Sequence, residues 1–291
     1  MPFLKRVFSA CLFLCILLAG PQGCASRIKL AVAGSFVQDV ALATARHGDI
    51  DLAAQAAPTY LLLLEGLLGD HPNNQTLLIA TAQAYMGYGA LVESENPDRA
   101  RSLYRRAKIY GLRALSQKRK IAPLLNAPFS EFSRISEHLK TGDVELVFWT
   151  ASSWGSWISA NIGSMGALAE LPKVILLMEW VLQQDESIQF GSPHLFLGVF
   201  HAALPPALGG KPDRALFHFN RALEISQDHL LMPRVLMARY YARQIFDRQL
   251  YESLLQEVLI LPIDTVPELT LQNVAAQRQA RQLLKETDDF F

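Results

Sequence analysis

Apolar residues recur every three or four positions along almost the whole chain, which is the spacing of one face of an α-helix. The first clear stretch stops at Gly48, a residue type that commonly ends helices. Six later stretches begin with proline, which favours a helix start and blocks continuation from upstream. The predicted helices are Arg27–His47, the stretch from Asp49 to Leu68, Gln75–Val92, Pro97–Gln117, Pro128–Lys140, Asp143–Asn161, Pro172–Gln184, Pro193–Ala203, Pro212–Ser226, Pro233–Phe246, Arg248–Leu261 and Leu269–Thr287.

Two details of the pattern concern the boundaries of these elements. Pro58 predicts a kink or a division in the helix that follows Asp49, because proline inside a helix removes a backbone hydrogen bond. Short β-like runs such as Val144–Trp149 lie inside longer helical patterns. We therefore predict an all-α fold.

One segment of the chain recurs. Asn96–Ala100 reads Asn-Pro-Asp-Arg-Ala, and Lys211–Ala215, 115 positions later, reads Lys-Pro-Asp-Arg-Ala. The same offset aligns Tyr104 with Phe219, Arg106 with Arg221, Ala107 with Ala222, and Tyr85 with Phe200. Small alanines let paired helices approach and aromatic rings fill the gap, as in tetratricopeptide (TPR) hairpins. Chance similarity between amphipathic helices is the alternative, and two such units do not make a regular solenoid.

Residues 1–23 are typical of an export signal. Lys5 and Arg6 precede an apolar run, Val7–Ala19, whose 13 residues cover about 20 Å of helix, short of the roughly 30 Å bilayer core. Gly23 before Cys24 fits a bacterial lipobox, in which the cysteine is acylated, although Pro21 and Gln22 depart from the pattern. The alternative is an ordinary secretory signal. We expect acylation of Cys24, a single helical domain over residues 24–291, and no later membrane span.

Charge and cysteine content exclude several function classes. The 27 basic side chains balance 27 acidic ones, whereas nucleic-acid binding requires a basic surplus, so we expect no nucleic-acid partner. All three cysteines lie within the first 24 residues, which excludes a disulfide scaffold, a thiolate nucleophile and Cys-ligated zinc from the folded body. No catalytic, phosphate-binding or dinucleotide motif occurs, and the seven histidines are scattered. We predict no enzyme activity, no cofactor and no metal site.

The four tryptophans lie between positions 149 and 180 and indicate a candidate binding surface. On a helix, Trp149, Ser153 and Trp157 share a face, and Trp154, Trp157 and Asn161 form an overlapping stripe. Aromatic rings beside small polar residues can line a ligand cavity, or they can pack tightly as core. The residues alone leave both readings open.

A second candidate is the arginine pair Arg239 and Arg243, which lie one helical turn apart near Tyr240 and Tyr241. Two guanidinium groups at this spacing can hold a carboxylate, or they can pair with surface acids.

Several stretches together resemble the TRAP-transporter T-component (TatT) family. These stretches are Trp149–Asn161, Glu170–Val174 with Leu177 and Met178, Gly191–Phe200, Gly209–Ile225, Pro233–Glu257 and the last helix. The resemblance implies a periplasm-facing lipoprotein built of antiparallel TPR-type hairpins around a central cleft or pore. It also favours a ligand-facing role for Trp149, Trp154, Trp157 and Asn161.

The expected function is therefore a non-catalytic accessory role in a tripartite ATP-independent periplasmic (TRAP) transport system. The resemblance implies contact with the soluble substrate-binding protein (P-component), and the tryptophans suit a small hydrophobic organic acid; self-association stays open. An adaptor lipoprotein for envelope assembly, with a TPR concave face that binds peptides, is the alternative. Ala25 after the cysteine favours outer-membrane over inner-membrane anchoring.

Overall fold

The computed structural model describes residues 22–203 and 210–291, with side chains from residue 34 onward. Most of the expected export signal, residues 1–21, lies outside the described residues, and so does the side chain of Cys24. The chain divides into two compact units, Met1–Ala41 and Leu42–Phe291. All contacts described below lie within the second unit.

The described residues form helices and no strand, which confirms the all-α prediction. The principal helices are α1 (Gln22–Ala45), α2 (Ile50–Asp70), α3 (Gln75–Val92), α4 (Pro97–Ser116), α5 (Val144–Ala160), α6 (Met165–Gln184), α7 (Ile188–Ala203), α8 (Pro212–Ser226), α9 (Met232–Leu236), α10 (Arg248–Ile260) and α11 (Thr270–Lys285). A π-helical segment, Met237–Ala242, continues α9. Shorter helical turns lie at Ala122–Leu125, Phe129–Phe132, Ser133–His138, Thr141–Asp143, Pro267–Leu269 and Thr287–Asp289.

Side-chain caps explain why several helices begin where the sequence predicts. Asp49 accepts hydrogen bonds from the backbone N–H groups of Asp51 and Leu52, and Asn74 accepts one from that of Leu77. Such caps satisfy N–H groups that have no partner inside the helix. At the start of α4, Asn96 caps the N–H of Arg99.

Prolines account for most of the boundary differences. Pro58 lies inside an undivided α2, so of the predicted kink or division the division is wrong and the kink stays a prediction. Pro172 lies inside α6, which begins at Met165 behind the cap of Ser164, so the predicted start at Pro172 is also wrong. In both cases the surrounding helix tolerates the loss of one backbone hydrogen bond. The predicted helix over Pro128–Lys140 is instead a succession of short turns.

From α2 onward, consecutive helices pack on one another, most extensively α3 on α4 and α7 on α8. These are the two hairpins that carry the recurring Pro-Asp-Arg-Ala sequence. Between them, α5 packs against α3, α4 and α6. At the end of the chain α11 contacts α2, and Arg278 of α11 pairs with Asp51 at 3.1 Å and with Glu95 at 2.6 Å.

A glycine faces an aromatic ring at the centre of each hairpin. A Cβ atom at Gly89 would lie 2.6 Å from the ring of Tyr104, and one at Gly198 would lie 3.2 Å from the ring of Phe219. Tyr104 and Phe219 are 115 positions apart, as the recurring segment predicts, but Gly89 and Gly198 are only 109 positions apart. The connection inside the second hairpin is therefore six residues longer. The first helices consequently align Tyr85 with His194, which corrects the expected pairing of Tyr85 with Phe200.

Helix α2 is long and apolar enough to cross a membrane by length and composition, although no membrane span is expected after the export signal. In the structure it packs along α3, and its Glu65 side chain pairs with Arg106 of α4 at 2.5 Å. The helix is thus an integral part of the helical unit.

Gly87 and Gly89 provide a matched test of the close helix approach. Gly87→Ala meets no atom within 4 Å and should stabilise the protein by about 0.5–1 kcal/mol, because alanine restricts the unfolded chain. Gly89→Ala collides with the Tyr104 ring and should destabilise it by about 1–3 kcal/mol. Urea unfolding of the two variants measures the difference, and equal effects at both positions would contradict the packing described.

Candidate ligand cavity

A cavity of about 420 Å³ lies between α5 and α7. Its lining comes from α3, α5, α6, α7, α9 with its π-helical continuation, and α11, so widely separated parts of the sequence meet there. Most lining residues are apolar: they include Met86, Leu168, Leu171 and Leu236. Apolar walls with a few polar groups are typical of small-molecule sites.

The α5 wall presents a stripe of small polar residues beside Trp149. Ser152, Ser156 and Ser159 line the cavity, and within the described residues their hydroxyl groups have no hydrogen-bond partner. On the opposite face of α5 the hydroxyls are engaged: Thr150 donates to the Leu146 carbonyl at 2.8 Å and Ser153 to the Thr150 carbonyl at 3.0 Å. The free hydroxyls therefore lie only on the cavity face and are available to a ligand.

The α7 wall is aromatic and aliphatic. Leu195, Phe196, Val199 and Phe200 line the cavity at helical spacing. Phe196 reaches across to α5, where a Cβ atom at Gly155 would lie 2.5 Å from its ring. The two walls therefore meet at this point because residue 155 has no side chain.

The beginning of α7 adopts an unusual backbone that also borders the cavity. Gln189, Phe190 and Gly191 have φ angles of 50°, 59° and 80°, which is the left-handed region. This region costs non-glycine residues of the order of 1 kcal/mol or more each. A Cβ atom at Gly191 would also lie 3.2 Å from Ile225, so glycine is required there on two grounds. Gln189 and Phe190 both line the cavity.

Of the predicted ligand-facing residues, Trp149 lines the cavity. Its indole Nε1 is buried and has no hydrogen-bond partner among the described residues. Ser153 and Trp154 lie on the buried side of α5 instead, where Trp154 donates its indole N–H to Glu170 at 2.5 Å. The residues of α5 that were predicted to face a ligand therefore lie partly at the cavity and partly in the packed core.

Trp157 and Asn161 form part of a polar cluster at the end of α5. The Lys108 ammonium lies 3.6 Å from the centre of the Trp157 ring and pairs with Glu170. Burial lowers the pKa of Lys108, although the Glu170 carboxylate opposes this effect. The Asn161 amide donates to the Trp157 carbonyl at 2.8 Å, as in a helix end. These side chains therefore have partners within the protein.

Arg239 lines a second cavity of about 470 Å³, together with Arg243, Phe246 and Phe290. Ala203 and Tyr240 line both cavities, so the two adjoin. The α7 wall, with Phe196, was not among the predicted site residues. The apolar period of Pro193–Ala203 predicts a buried face but does not show what that face packs against.

In each hairpin an arginine pairs with a glutamate that precedes the hairpin in the chain. Glu65 accepts hydrogen bonds from Tyr85 at 2.7 Å and Arg106 at 2.5 Å. Burial opposes the ionisation of Glu65, but these hydrogen bonds and the Arg106 charge lower its pKa overall. In the second hairpin Glu186 accepts from Arg221 at 2.5 Å and pairs with His194 at 3.1 Å. The hydrogen bonds from Arg221 and His194 lower the pKa of Glu186 to about 2.

Three buried histidines continue the second cluster into the core. His194 Nδ1 lies 2.9 Å from His218 Nδ1, and the His218 ring stacks on His201 at 5.7 Å. Neither ring nitrogen of His201 has a hydrogen-bond partner among the described residues. In the first hairpin the equivalent positions of His218 and His201 are the apolar residues Leu103 and Val92. Within the described residues no group of side chains is suited to hold a metal ion.

Burial explains the electrostatics of these histidines. It lowers the pKa of His201 to about 4, and the Arg214 and Lys211 charges act in the same direction. Burial and the neighbouring His194 and His201 lower the pKa of His218 to about 4. Burial also lowers the pKa of His194, against the opposing effect of Glu186. The folded protein therefore holds His201 and His218 neutral over a range in which the unfolded chain protonates them.

Residues 46–291 match the family model described as TRAP transporter T-component. This match covers most of the chain, and the chain therefore belongs to that family. It is accordingly an accessory component of a TRAP transporter. No curated protein matches the chain.

The buried histidines predict a pH-dependent stability. Because their folded pKa values lie below the unfolded value of about 6.5, the free energy of unfolding is highest above pH 6.5 and falls as the pH drops towards 4. His218→Leu, which introduces the residue of the first hairpin, should reduce this fall by about 1 kcal/mol per pH unit. Urea unfolding between pH 7 and pH 4.5 measures it. Asn220→Ala, an exposed change on the same helix, should keep the wild-type slope.

Proposed function

We propose that this T-component is a non-catalytic, periplasm-facing lipoprotein that binds a small hydrophobic or organic-acid ligand, the soluble substrate-binding protein of its TRAP system, or both. The observation that carries the proposal is the apolar cavity between α5 and α7, which Trp149 and three free serine hydroxyls line. Such a lining supports reversible binding: it supplies apolar contact and neutral hydrogen-bond groups.

Two further observations support a TPR-type arrangement around a central cleft. Both hairpins bring a glycine against an aromatic ring at equivalent positions, as expected for two copies of one helical unit. The cavity receives side chains from helices between α3 and α11, which supports a position at the centre of the array. In this proposal the cleft holds its ligand without changing it.

The second part of the proposal concerns a protein partner. A lipid anchor at Cys24 would hold the chain at the membrane, most simply the outer one, while its helical unit faces the periplasm. A soluble substrate-binding protein could then meet it there. The competing adaptor role in envelope assembly requires a different set of partners, which provides a direct test.

Affinity purification from the native host tests the partner. The full chain, tagged at its C-terminus and recovered from solubilised membranes, should bring down the TRAP substrate-binding protein, as identified by mass spectrometry. An unrelated lipoprotein with the same tag is the control. Recovery of envelope-assembly proteins without any TRAP component would favour the adaptor role and contradict the proposal.

Metabolic labelling with a fatty-acid analogue tests the anchor. Cys24→Ala should abolish the label and move the chain from the membrane to the soluble fraction, because only the acylated residue holds it there. Cys15→Ala, which removes a cysteine upstream of the cut, should leave both label and location unchanged. Membrane retention of an unlabelled Cys24→Ala chain would argue against a lipid anchor.

A further inference from the structure

The lining of the first cavity restricts the charge of its ligand. Among the described residues that line it, none is Asp, Glu, Lys, Arg or His. A carboxylate buried there would lose its hydration without gaining an opposite charge, and this is strongly unfavourable. The cavity therefore suits the uncharged part of a ligand, and an acid group requires another position.

The adjoining second cavity supplies that position. Arg239 and Arg243 line it, and none of its described lining residues is acidic. Tyr240 and Ala203 belong to both cavities and mark the place where they meet. A ligand that extends past Tyr240 thus passes from an uncharged environment to a positively charged one.

Within the described part of the chain, neither arginine is paired with an acidic side chain. Arg239 lies 5.5 Å from the centre of the Tyr240 ring, and Arg243 lies 3.3 Å from that of Phe290. Among the described residues neither guanidinium forms an ion pair, whereas Arg234, just upstream on α9, pairs with both Asp228 and Glu257 at 2.9 Å. Stacking on an aromatic ring fixes a guanidinium group and leaves N–H donors available for an anion.

The two arginines lie within and directly after the π-helical segment. Arg239 lies within Met237–Ala242, and Arg243 is the residue that follows it. A π-helix has a wider turn than an α-helix and often occurs at functional sites. Residues four apart are close to one turn in either geometry, so both guanidinium groups reach the same cavity.

We infer that the two cavities form one site for an amphipathic monocarboxylate, with its apolar body between α5 and α7 and its carboxylate at Arg239 and Arg243. This inference rests on the proposed function and specifies its ligand class. The hydroxyls of Ser152, Ser156 and Ser159 accommodate isolated oxygen atoms along the body. The acid group contributes affinity through charge-assisted hydrogen bonds, and the body through the burial of apolar area.

Decanoate and 1-decanol form a probe pair that differs only in the head group. The full chain, exported as the Cys24→Ala variant so that no detergent competes, is titrated with each at pH 7 by calorimetry. We expect decanoate to bind about tenfold or more tightly than 1-decanol, as one or two charge-assisted hydrogen bonds would give. This margin should shrink at high salt, because the second cavity is partly open to screening.

Substitutions in each cavity test its contribution to binding separately. Arg239→Gln combined with Arg243→Gln should remove the decanoate margin and leave 1-decanol binding unchanged, which also shows that the variant is folded. Arg119→Gln, an equal change of charge at an exposed residue, should alter neither. Ser152→Phe, which fills the first cavity, should weaken both ligands, whereas Ser136→Phe at an exposed position should not.

The outcomes distinguish this inference from the proposed function. The inferred site across both cavities is overturned if the two probes bind the wild type equally, or if decanoate still binds more tightly than 1-decanol after loss of both arginines. In either case the first cavity keeps its proposed role in ligand binding. Failure of both probes to bind also overturns the inference, and the affinity purification then decides the accessory role independently.

Discussion

The geometry of the cavity depends on the contact between Phe196 and Gly155. The ring occupies space that any other residue would fill with its own Cβ, and this lets α7 approach α5 at one point. On either side of that point the walls separate and Trp149, Ser152 and Ser156 face open space. A larger residue at 155 would force the walls apart, whereas a smaller one at 196 would let them close. The absence of one methyl group therefore sets the width of the site.

The two hairpins share a close contact between a glycine and an aromatic ring, but the residues buried in their interiors differ. In each, an arginine at an equivalent position, Arg106 or Arg221, pairs with a glutamate that precedes the hairpin in the chain. At the positions equivalent to His218 and His201 the first hairpin has the apolar residues Leu103 and Val92. The helix packing itself therefore does not require histidines there. The second hairpin carries His201 and His218 there, which burial holds neutral, and its α7 forms one wall of the cavity. The same helix pairing therefore accommodates either an apolar interior or buried histidines.

Local signals in the sequence were sufficient for most helices. Caps and prolines act on adjacent residues, so the bounds Gln75–Val92 and Pro212–Ser226 agree with the structure. The predicted helix start at Pro172 is wrong because the sequence does not distinguish a proline at a helix start from one tolerated inside a helix. For the candidate site, the pattern of small residues around the tryptophans does not distinguish Trp149, which lines the cavity, from Trp154, which donates a hydrogen bond to Glu170. Which face a helix turns towards a void depends on partners far away in the chain, such as Phe196, and periodicity carries no information about them.

The left-handed turn at Gln189–Gly191 has a consequence for the order in which the protein folds. Two of its residues oppose their own local preference, so the turn has no tendency to form in an isolated segment. Gly191 fits closely against Ile225 and Ala222, both on α8. The turn therefore depends on packing against α8. Helices α3 and α4, in contrast, are stabilised at their starts by the neighbouring cap residues Asn74 and Asn96. We therefore expect the part of the cavity lining that Gln189 and Phe190 form to be completed after α3 and α4.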